Sequence, residues 1–143
     1  MKLTKKVVRG VVVVEIHGKL LGGPDESDRF HQLFKSIVDE GKKNVVVNLR
    51  RTSYANSLGI GMLIGAYTSI RKSGGELVLA HVIDRINNIL IVTKLLLIFK
   101  TFETMDEAVD YLLEKAEAGK DIDTDSKPDP SKEPPQQEKR QEL

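Results

Sequence analysis

Residues 45–61 have the sequence VVVNLRRTSYANSLGIG, and most of the predicted architecture can be built around them. The nearly continuous apolar run at 45–49 is typical of a strand covered on both faces. The polar residues that follow predict a short loop. Asn56 or Ser57 is then a good N-cap, so we predict that a helix begins here and extends over Ser57–Lys72.

Outward from this stretch, strand and helix signals alternate. Val7-Val8 and residues 11–16 flank the turn Arg9-Gly10 and predict a β-hairpin. Further elements are a strand at 77–80, an edge strand at 98–102, and helices that begin at Pro24, Asp84 and Thr104. Strands separated by helices imply right-handed crossovers. We therefore predict an α/β fold with a mixed sheet (an initial β-hairpin, then mostly parallel strands) and four helices.

The segment 95–98 is more apolar than an isolated edge strand requires, because it contains three leucines and an isoleucine in a row. Packing into the core is the preferred explanation. A dimer contact or a partner contact is the alternative.

A change of composition near Gly119 marks the end of the folded part. From there to the last residue the only aliphatic side chains are Ile122 and Leu143, and four of the five prolines lie in this stretch. Such a segment buries too little apolar surface to offset its ordering entropy. We predict one folded domain over 1–117 and a disordered polar tail over 118–143.

The composition excludes several classes of function. With 22 basic and 21 acidic side chains the net charge is only +1, which argues against direct nucleic-acid binding. The chain has no cysteine, which excludes disulfides and thiolate metal sites and fits a cytoplasmic location. No apolar run approaches the ~20 residues of a membrane-spanning helix, so we predict no membrane insertion.

Motifs of enzymes are also missing. No two histidines have a metal-binding spacing. Ser57 lies in Ala-Asn-Ser-Leu-Gly and not in the Gly-x-Ser-x-Gly motif of hydrolases. Residues 59–61 are similar to the start of a dinucleotide-binding motif, but Ile64 stands where its third glycine belongs. We predict no catalytic residue, no metal ligand and no cofactor, and hence a protein that is not an enzyme.

The predicted helix at 57–72 is unusual because it contains three glycines. Each glycine destabilises a helix interior by about 1 kcal/mol relative to alanine. Their presence indicates a close backbone approach, either to the sheet beneath or to a partner above. Leu58 and Met62 add an apolar stripe away from the core positions, as a docking surface would. The predicted partner-binding residues are Asn56, Ser57, Leu58, Gly59, Gly61, Met62 and Gly65.

Taken together, the chain resembles a STAS domain, specifically a bacterial anti-sigma factor antagonist. The resemblance covers roughly residues 3–116 and is strongest at 47–49, 54–61 and 71–79. The Asp-Ser-Ser-Gly signature of the family corresponds to Asn-Ser-Leu-Gly at 56–59. The Gly-Gly-Glu sequence that leads into a strand is present at 74–76.

The resemblance implies an anti-sigma factor antagonist that acts by partner switching. Such a protein binds an anti-sigma factor that is also a serine kinase, and thereby controls sigma-factor-dependent transcription. The first serine of the signature, here Ser57, is the residue that the kinase phosphorylates. A serine phosphatase that acts on phospho-Ser57 is a further expected partner.

Two other functions stay open. The first is a STAS interaction module without phosphorylation, as a scaffold or a component of a transport complex. Asn56 in place of the family aspartate and Leu58 in place of the second serine favour it. The second is a sensor that binds a small ligand or nucleotide through loop amides near Ser57.

Overall fold

The computed structural model describes residues 1–123, which contain six β-strands and four α-helices. The strands are β1 (Lys2–Val8), β2 (Val11–Leu20), β3 (Asn44–Asn48), β4 (Thr52–Ala55), β5 (Glu76–Ala80) and β6 (Thr101–Phe102). The helices are α1 (Pro24–Asp39), α2 (Ser57–Lys72), α3 (Asp84–Val92) and α4 (Met105–Asp123). Residues Met1–Leu112 form one compact unit, and a second unit begins at Leu113.

The strands form one mixed sheet in the order β1-β2-β3-β5-β6, with β4 paired to β2. The hairpin β1-β2 is antiparallel, and its register pairs Val8 with Val11 across the turn Arg9-Gly10. The pairs β2-β3, β2-β4, β3-β5 and β5-β6 are parallel. The predicted α/β fold class and the hairpin are therefore confirmed.

The apolar pattern explains which elements lie at the centre. Residues 11–14 of β2 and 45–47 of β3 have almost no exposed surface, as expected of strands that are covered on both faces. Helix α1 contributes Phe30, Phe34 and Ile37 to the core. Helix α2 contributes its inner face, which consists of Gly59, Ile60, Leu63, Ala66 and Ile70.

Strand β4 corrects the predicted loop between β3 and α2. Its first residue, Thr52, is buried, and the hydroxyl group donates a hydrogen bond of 2.8 Å to the carbonyl oxygen of Ile16. The amide of Gly18 donates to the carbonyl oxygen of Arg51 at 2.9 Å. The strand is too short and too polar to show an alternating pattern in the sequence. It forms because its backbone pairs with the last residues of β2, far earlier in the chain.

The edge strand predicted at 98–102 is also shorter than expected. Residues Leu95–Leu97 form a 3₁₀ turn, and β6 contains only Thr101 and Phe102. Leu95 and Leu96 pack against the core, whereas Leu97 is 86% exposed and Ile98 is 41% exposed. The prediction that this segment packs into the core is therefore wrong for its last two residues.

The predicted domain boundary lies inside the last helix. Helix α4 extends to Asp123, beyond the boundary at 117, and residues 124–143 of the predicted tail lie outside the described residues. Among the helices of residues 1–123, none is both long enough and apolar enough to cross a membrane.

Candidate functional site

The beginning of α2 is fixed on the end of β2. Ala55 pairs with Leu20, and the next amide, that of Asn56, donates to the carbonyl oxygen of Leu20 at 3.2 Å. The Asn56 side chain is the N-cap, since its Oδ1 accepts a hydrogen bond of 2.9 Å from the amide of Gly59. The cap and the strand together determine where the helix begins.

Gly59 lies on the inner face of α2 and is buried. A Cβ atom at this position would overlap the carbonyl oxygen of Leu20, so no residue with a side chain fits without a shift of the backbone. Of the two close approaches that the sequence allowed, the one to the sheet accounts for Gly59. Gly59 therefore contacts the sheet and is buried, unlike the exposed residues predicted with it to bind a partner.

Gly22 belongs to the same region and was not predicted. It has a positive φ of 74°, which favours glycine, and a Cβ atom there would lie 2.6 Å from the Cβ of Leu58. The turn before α1 therefore packs directly against the first turn of α2. The Gly-Gly-Pro sequence at 22–24 signals a turn, but its contact with Leu58 depends on the tertiary fold.

Ser57 is the first residue of α2 and its side chain is exposed. It lies beside a groove of about 440 Å³ between α2 and α3, whose lining includes Tyr54, Ile60, Ile64 and Ile89. The hydroxyl group is thus presented at the edge of an apolar depression. Among the described side chains that line this groove, none is a carboxylate or an imidazole that could act as a general base.

A second groove lies on the other side of Leu58, between α1 and α2. We call it the α1–α2 groove; its volume is about 730 Å³. Its lining includes Phe30, Phe34, Val38 and Met62. Leu58 also lines this groove and is 65% exposed, so it adds apolar surface beside the groove.

The two remaining helix glycines, Gly61 and Gly65, are exposed and line the α1–α2 groove. No atom outside the helix lies within 4 Å of where their Cβ atoms would be. Packing within the described residues therefore does not explain why these positions are glycine. Of the seven predicted residues, Ser57, Leu58, Gly61 and Gly65 are exposed on α2, and Asn56 is its half-buried N-cap. Met62 was expected to lie away from the core, but it is half-buried and packs against the core while it also lines the groove.

The charges on α2 favour an anion at its beginning. The first turn contains no acidic residue, and the last turn contains Arg71 and Lys72. The positive end of the helix dipole is therefore not already neutralised by a carboxylate from the helix itself. Within residues 1–123, no group of three or more acidic or histidine side chains is arranged to hold a metal ion.

Comparison with known proteins gives a consistent family. A family model described as the STAS domain matches residues 2–108. A curated relative, the anti-sigma F factor antagonist of Paenibacillus polymyxa, is 27% identical over 106 residues, which is 74% of this chain and 87% of the relative.

Two solved structures show the same fold. The phosphorylated form of the Bacillus cell fate determinant SpoIIAA has a TM-score of 0.61 at 19% identity, and the match covers 77% of this chain and 98% of that chain. A sulfate transporter family protein from Wolinella succinogenes has a TM-score of 0.67 at 25% identity, with 79% and 93% covered.

Proposed function

The chain belongs to the STAS domain family, and we propose that it acts as an anti-sigma factor antagonist. It binds an anti-sigma factor through the outer face of α2 and is released when Ser57 is phosphorylated. The observation that carries this proposal is the exposed hydroxyl group at the first residue of α2, beside two apolar grooves. The action is binding and not catalysis.

The related proteins support this function. The Paenibacillus polymyxa relative is named as an anti-sigma F factor antagonist and aligns over most of its length. SpoIIAA has been solved in a phosphorylated form, so a protein of this fold accepts phosphate. The partner expected for the present chain is an anti-sigma factor that is also a serine kinase, and a serine phosphatase would reverse the modification.

The outer face of α2 has the properties of a binding surface. Leu58 offers exposed apolar area, and the adjacent α1–α2 groove can receive an apolar side chain of the partner. Gly61 and Gly65 expose backbone without a side chain at two positions about one turn apart, so the partner can approach the helix closely there. Burying this surface would remove apolar area from water at about 25 cal/mol per Å².

The fold can tolerate a phosphate on Ser57. The first amides of a helix have no acceptor within the helix, and the dipole favours negative charge at this end. No acidic residue in the first turn of α2 opposes the phosphate. The cap bond between Asn56 and Gly59 does not involve the Ser57 hydroxyl group, so it can persist after modification.

A phosphate on Ser57 would weaken the proposed interface with the anti-sigma factor. It adds about 1.5 to 2 negative charges at pH 7. For each unit of this charge, one partner carboxylate at about 4 Å would be repelled by roughly 4 kcal/mol at an effective dielectric constant of about 20. This energy weakens binding about a thousandfold, which is sufficient for a switch that requires no refolding.

The first experiment maps the modification. The purified protein is incubated with its cognate kinase and ATP, and the phosphorylated residue is identified by mass spectrometry. We expect phosphate on Ser57 and none in a Ser57→Ala variant. Ser53→Ala is the matched control, because Ser53 is also exposed and lies four residues earlier. Phosphate on Ser53, or on no residue, would exclude Ser57 as the acceptor.

The second experiment measures the switch itself. Ser57→Asp should weaken binding of the anti-sigma factor strongly while its thermal transition stays that of the unmodified protein. Ser53→Asp places the same charge nearby and should bind nearly normally. Equal binding by Ser57→Asp and the parent protein would refute the electrostatic explanation.

A second function is a STAS interaction module that is not phosphorylated. It is favoured by Asn56 and Leu58, which replace an acidic residue and a serine of the family signature, and by the structural likeness to the Wolinella succinogenes protein. Affinity purification separates the two functions. Recovery of transporter subunits, with no serine kinase, would favour the module.

A further inference from the structure

We propose that the end of α3 and the turn after it dock on an anionic lipid surface. Four aliphatic side chains are exposed within this segment: Ile91 (53%), Val92 (80%), Leu97 (86%) and Ile98 (41%). We call these four residues the α3 corner. The proposal is independent of phosphorylation and of the α2 surface, and it adds a second place of attachment.

The α3 corner includes a hydrogen-bonded turn, and its four aliphatic side chains are exposed. The amide of Lys94 donates to the carbonyl oxygen of Ile91 at 3.0 Å, and the amide of Leu97 donates to that of Lys94 at 3.2 Å. Phe99 anchors the segment, since it is 2% exposed and meets the ring of Tyr67 edge-on at 5.4 Å. The exposure therefore results from the backbone path, which turns at Lys94 with a positive φ of 63°.

The charges within residues 85–102, which contain the α3 corner, all have one sign, and exposed Asp84 and Glu103 flank this stretch. Between Asp84 and Glu103 the only charged residues are Arg85, Lys94 and Lys100, and all three are exposed. This stretch carries a net charge of +3, in a chain whose net charge is only +1. Exposed aliphatic side chains beside basic groups are the combination that holds peripheral proteins on anionic membranes.

A second copy of this chain is a poor occupant. A symmetric dimer through the α3 corner would place the same patch on both sides of the contact. Both sides of the contact would then carry Lys94 and Lys100, and residues 85–102 contain no acidic side chain to pair with them. The positive patch requires a negatively charged surface instead.

A protein partner is also less suitable than a lipid surface. A standard protein interface uses about 20 to 30 residues on each side and fills pockets with its anchor residues. Neither groove described above includes a residue of the α3 corner in its lining. A lipid surface needs no matching shape, since the four side chains can contact the headgroup boundary individually, as a peripheral attachment without a membrane-spanning segment, while the lysines remain with the headgroups.

Vesicle sedimentation of the full chain tests the proposal. We expect the protein to sediment with vesicles of equal parts phosphatidylglycerol and phosphatidylcholine, and to stay in the supernatant with pure phosphatidylcholine. Raising the salt from about 0.1 M to about 1 M shortens the screening length from about 10 Å to about 3 Å and should release most of the protein. Failure to sediment with the anionic vesicles would overturn the proposal.

Matched variants identify the surface. Val92→Ser together with Leu97→Ser should lower vesicle binding about tenfold or more, since both side chains lose their apolar contact with the lipid. Val7→Ser removes another exposed aliphatic side chain (54%), from β1, and should bind as the parent does. Lys94→Asn, which suits a positive φ, should weaken binding to anionic vesicles.

Three results would overturn the assignment. The first is equal vesicle binding by the Val92/Leu97 double variant and the parent protein. The second is a dimer in solution that this double variant abolishes, which would make the α3 corner a contact between copies. The third is binding of a purified protein that the double variant loses while no vesicle binding occurs. An unchanged thermal transition of each variant shows that it is folded.

Discussion

Both faces of α2 contain glycine, but the surroundings of the glycines differ between the two faces. On the inner face, Gly59 is buried and its missing side chain lets the helix contact the carbonyl oxygen of Leu20. On the outer face, Gly61 and Gly65 have open space where a side chain would be. A glycine in this helix is therefore required by the fold on one face, and on the other face the fold does not require it.

The two faces of α2 therefore differ in role: the inner face fixes the helix on the sheet, and the outer face is exposed to solvent. Inward, the helix is fixed by its cap, by β2 and by a row of buried aliphatic residues. Outward, it presents Ser57 and Leu58 from a first turn that the rest of the fold positions firmly. Substitutions on the inner face should change stability, and those on the outer face should change binding.

Gly59→Ala should have the largest effect. The added methyl group meets a backbone carbonyl oxygen, which cannot rotate away, so the helix must shift from β2. We expect a loss of about 3 kcal/mol or more in the free energy of unfolding, measured by urea denaturation. Gly61→Ala is the matched control and should not destabilise the protein. Similar stability of the two variants would contradict the assignment of faces.

Leu58→Ser should change binding more than stability. Because Leu58 is already 65% exposed, removal of its side chain loses little burial within the domain. In a complex the same side chain would be covered, so we expect affinity for the anti-sigma factor to fall about tenfold to a hundredfold. Titration calorimetry measures this loss. Val7→Ser, on an exposed side chain of β1, is the control and should bind normally.

Asn56→Ala should have a smaller effect, on stability. It removes the hydrogen bond from the amide of Gly59 to Oδ1, and the loss of such a cap destabilises a protein by about 1 kcal/mol. Asn56→Asp keeps an acceptor at the same place and should be about as stable as the parent. If the kinase recognises the acid of the family signature, Asn56→Asp is phosphorylated faster on Ser57. An unchanged rate would show that the kinase does not recognise the acid.

Local patterns predicted most of the fold. The valine-rich hairpin, α1 and α2 each have a repeating apolar pattern or a clear cap, and the structure confirms them. Strand β4 has no such pattern, because its place depends on pairing with Gly18 and Leu20 far earlier in the chain. The prediction that Leu97 is buried is wrong for a related reason. A run of leucines indicates burial, but the backbone turn at Lys94 leaves Leu97 exposed.

The sequence could predict where the helix of the candidate site begins, but not which side of that helix faces the sheet. The sequence indicated that α2 begins near Ser57 and carries too many glycines for an ordinary helix. It could not indicate which glycine contacts the sheet, because that depends on how the helix is rotated about its axis. The contact of Gly22 with Leu58 depends likewise on the fold, since no local pattern joins two residues so far apart.

Gly65→Ala should give the smallest effect and the one most specific to the outer face. The site is in the middle of α2 and has open space around it, so alanine should raise the free energy of unfolding by about 0.5 to 1 kcal/mol. If a partner approaches the bare backbone, the same methyl group intrudes into the α1–α2 groove and weakens binding. A variant that is more stable yet binds less well would indicate that glycine at position 65 lowers the stability of the fold but permits close contact with another molecule. A variant that is more stable and binds equally well would restrict the partner surface to the first turn of α2, around Ser57 and Leu58.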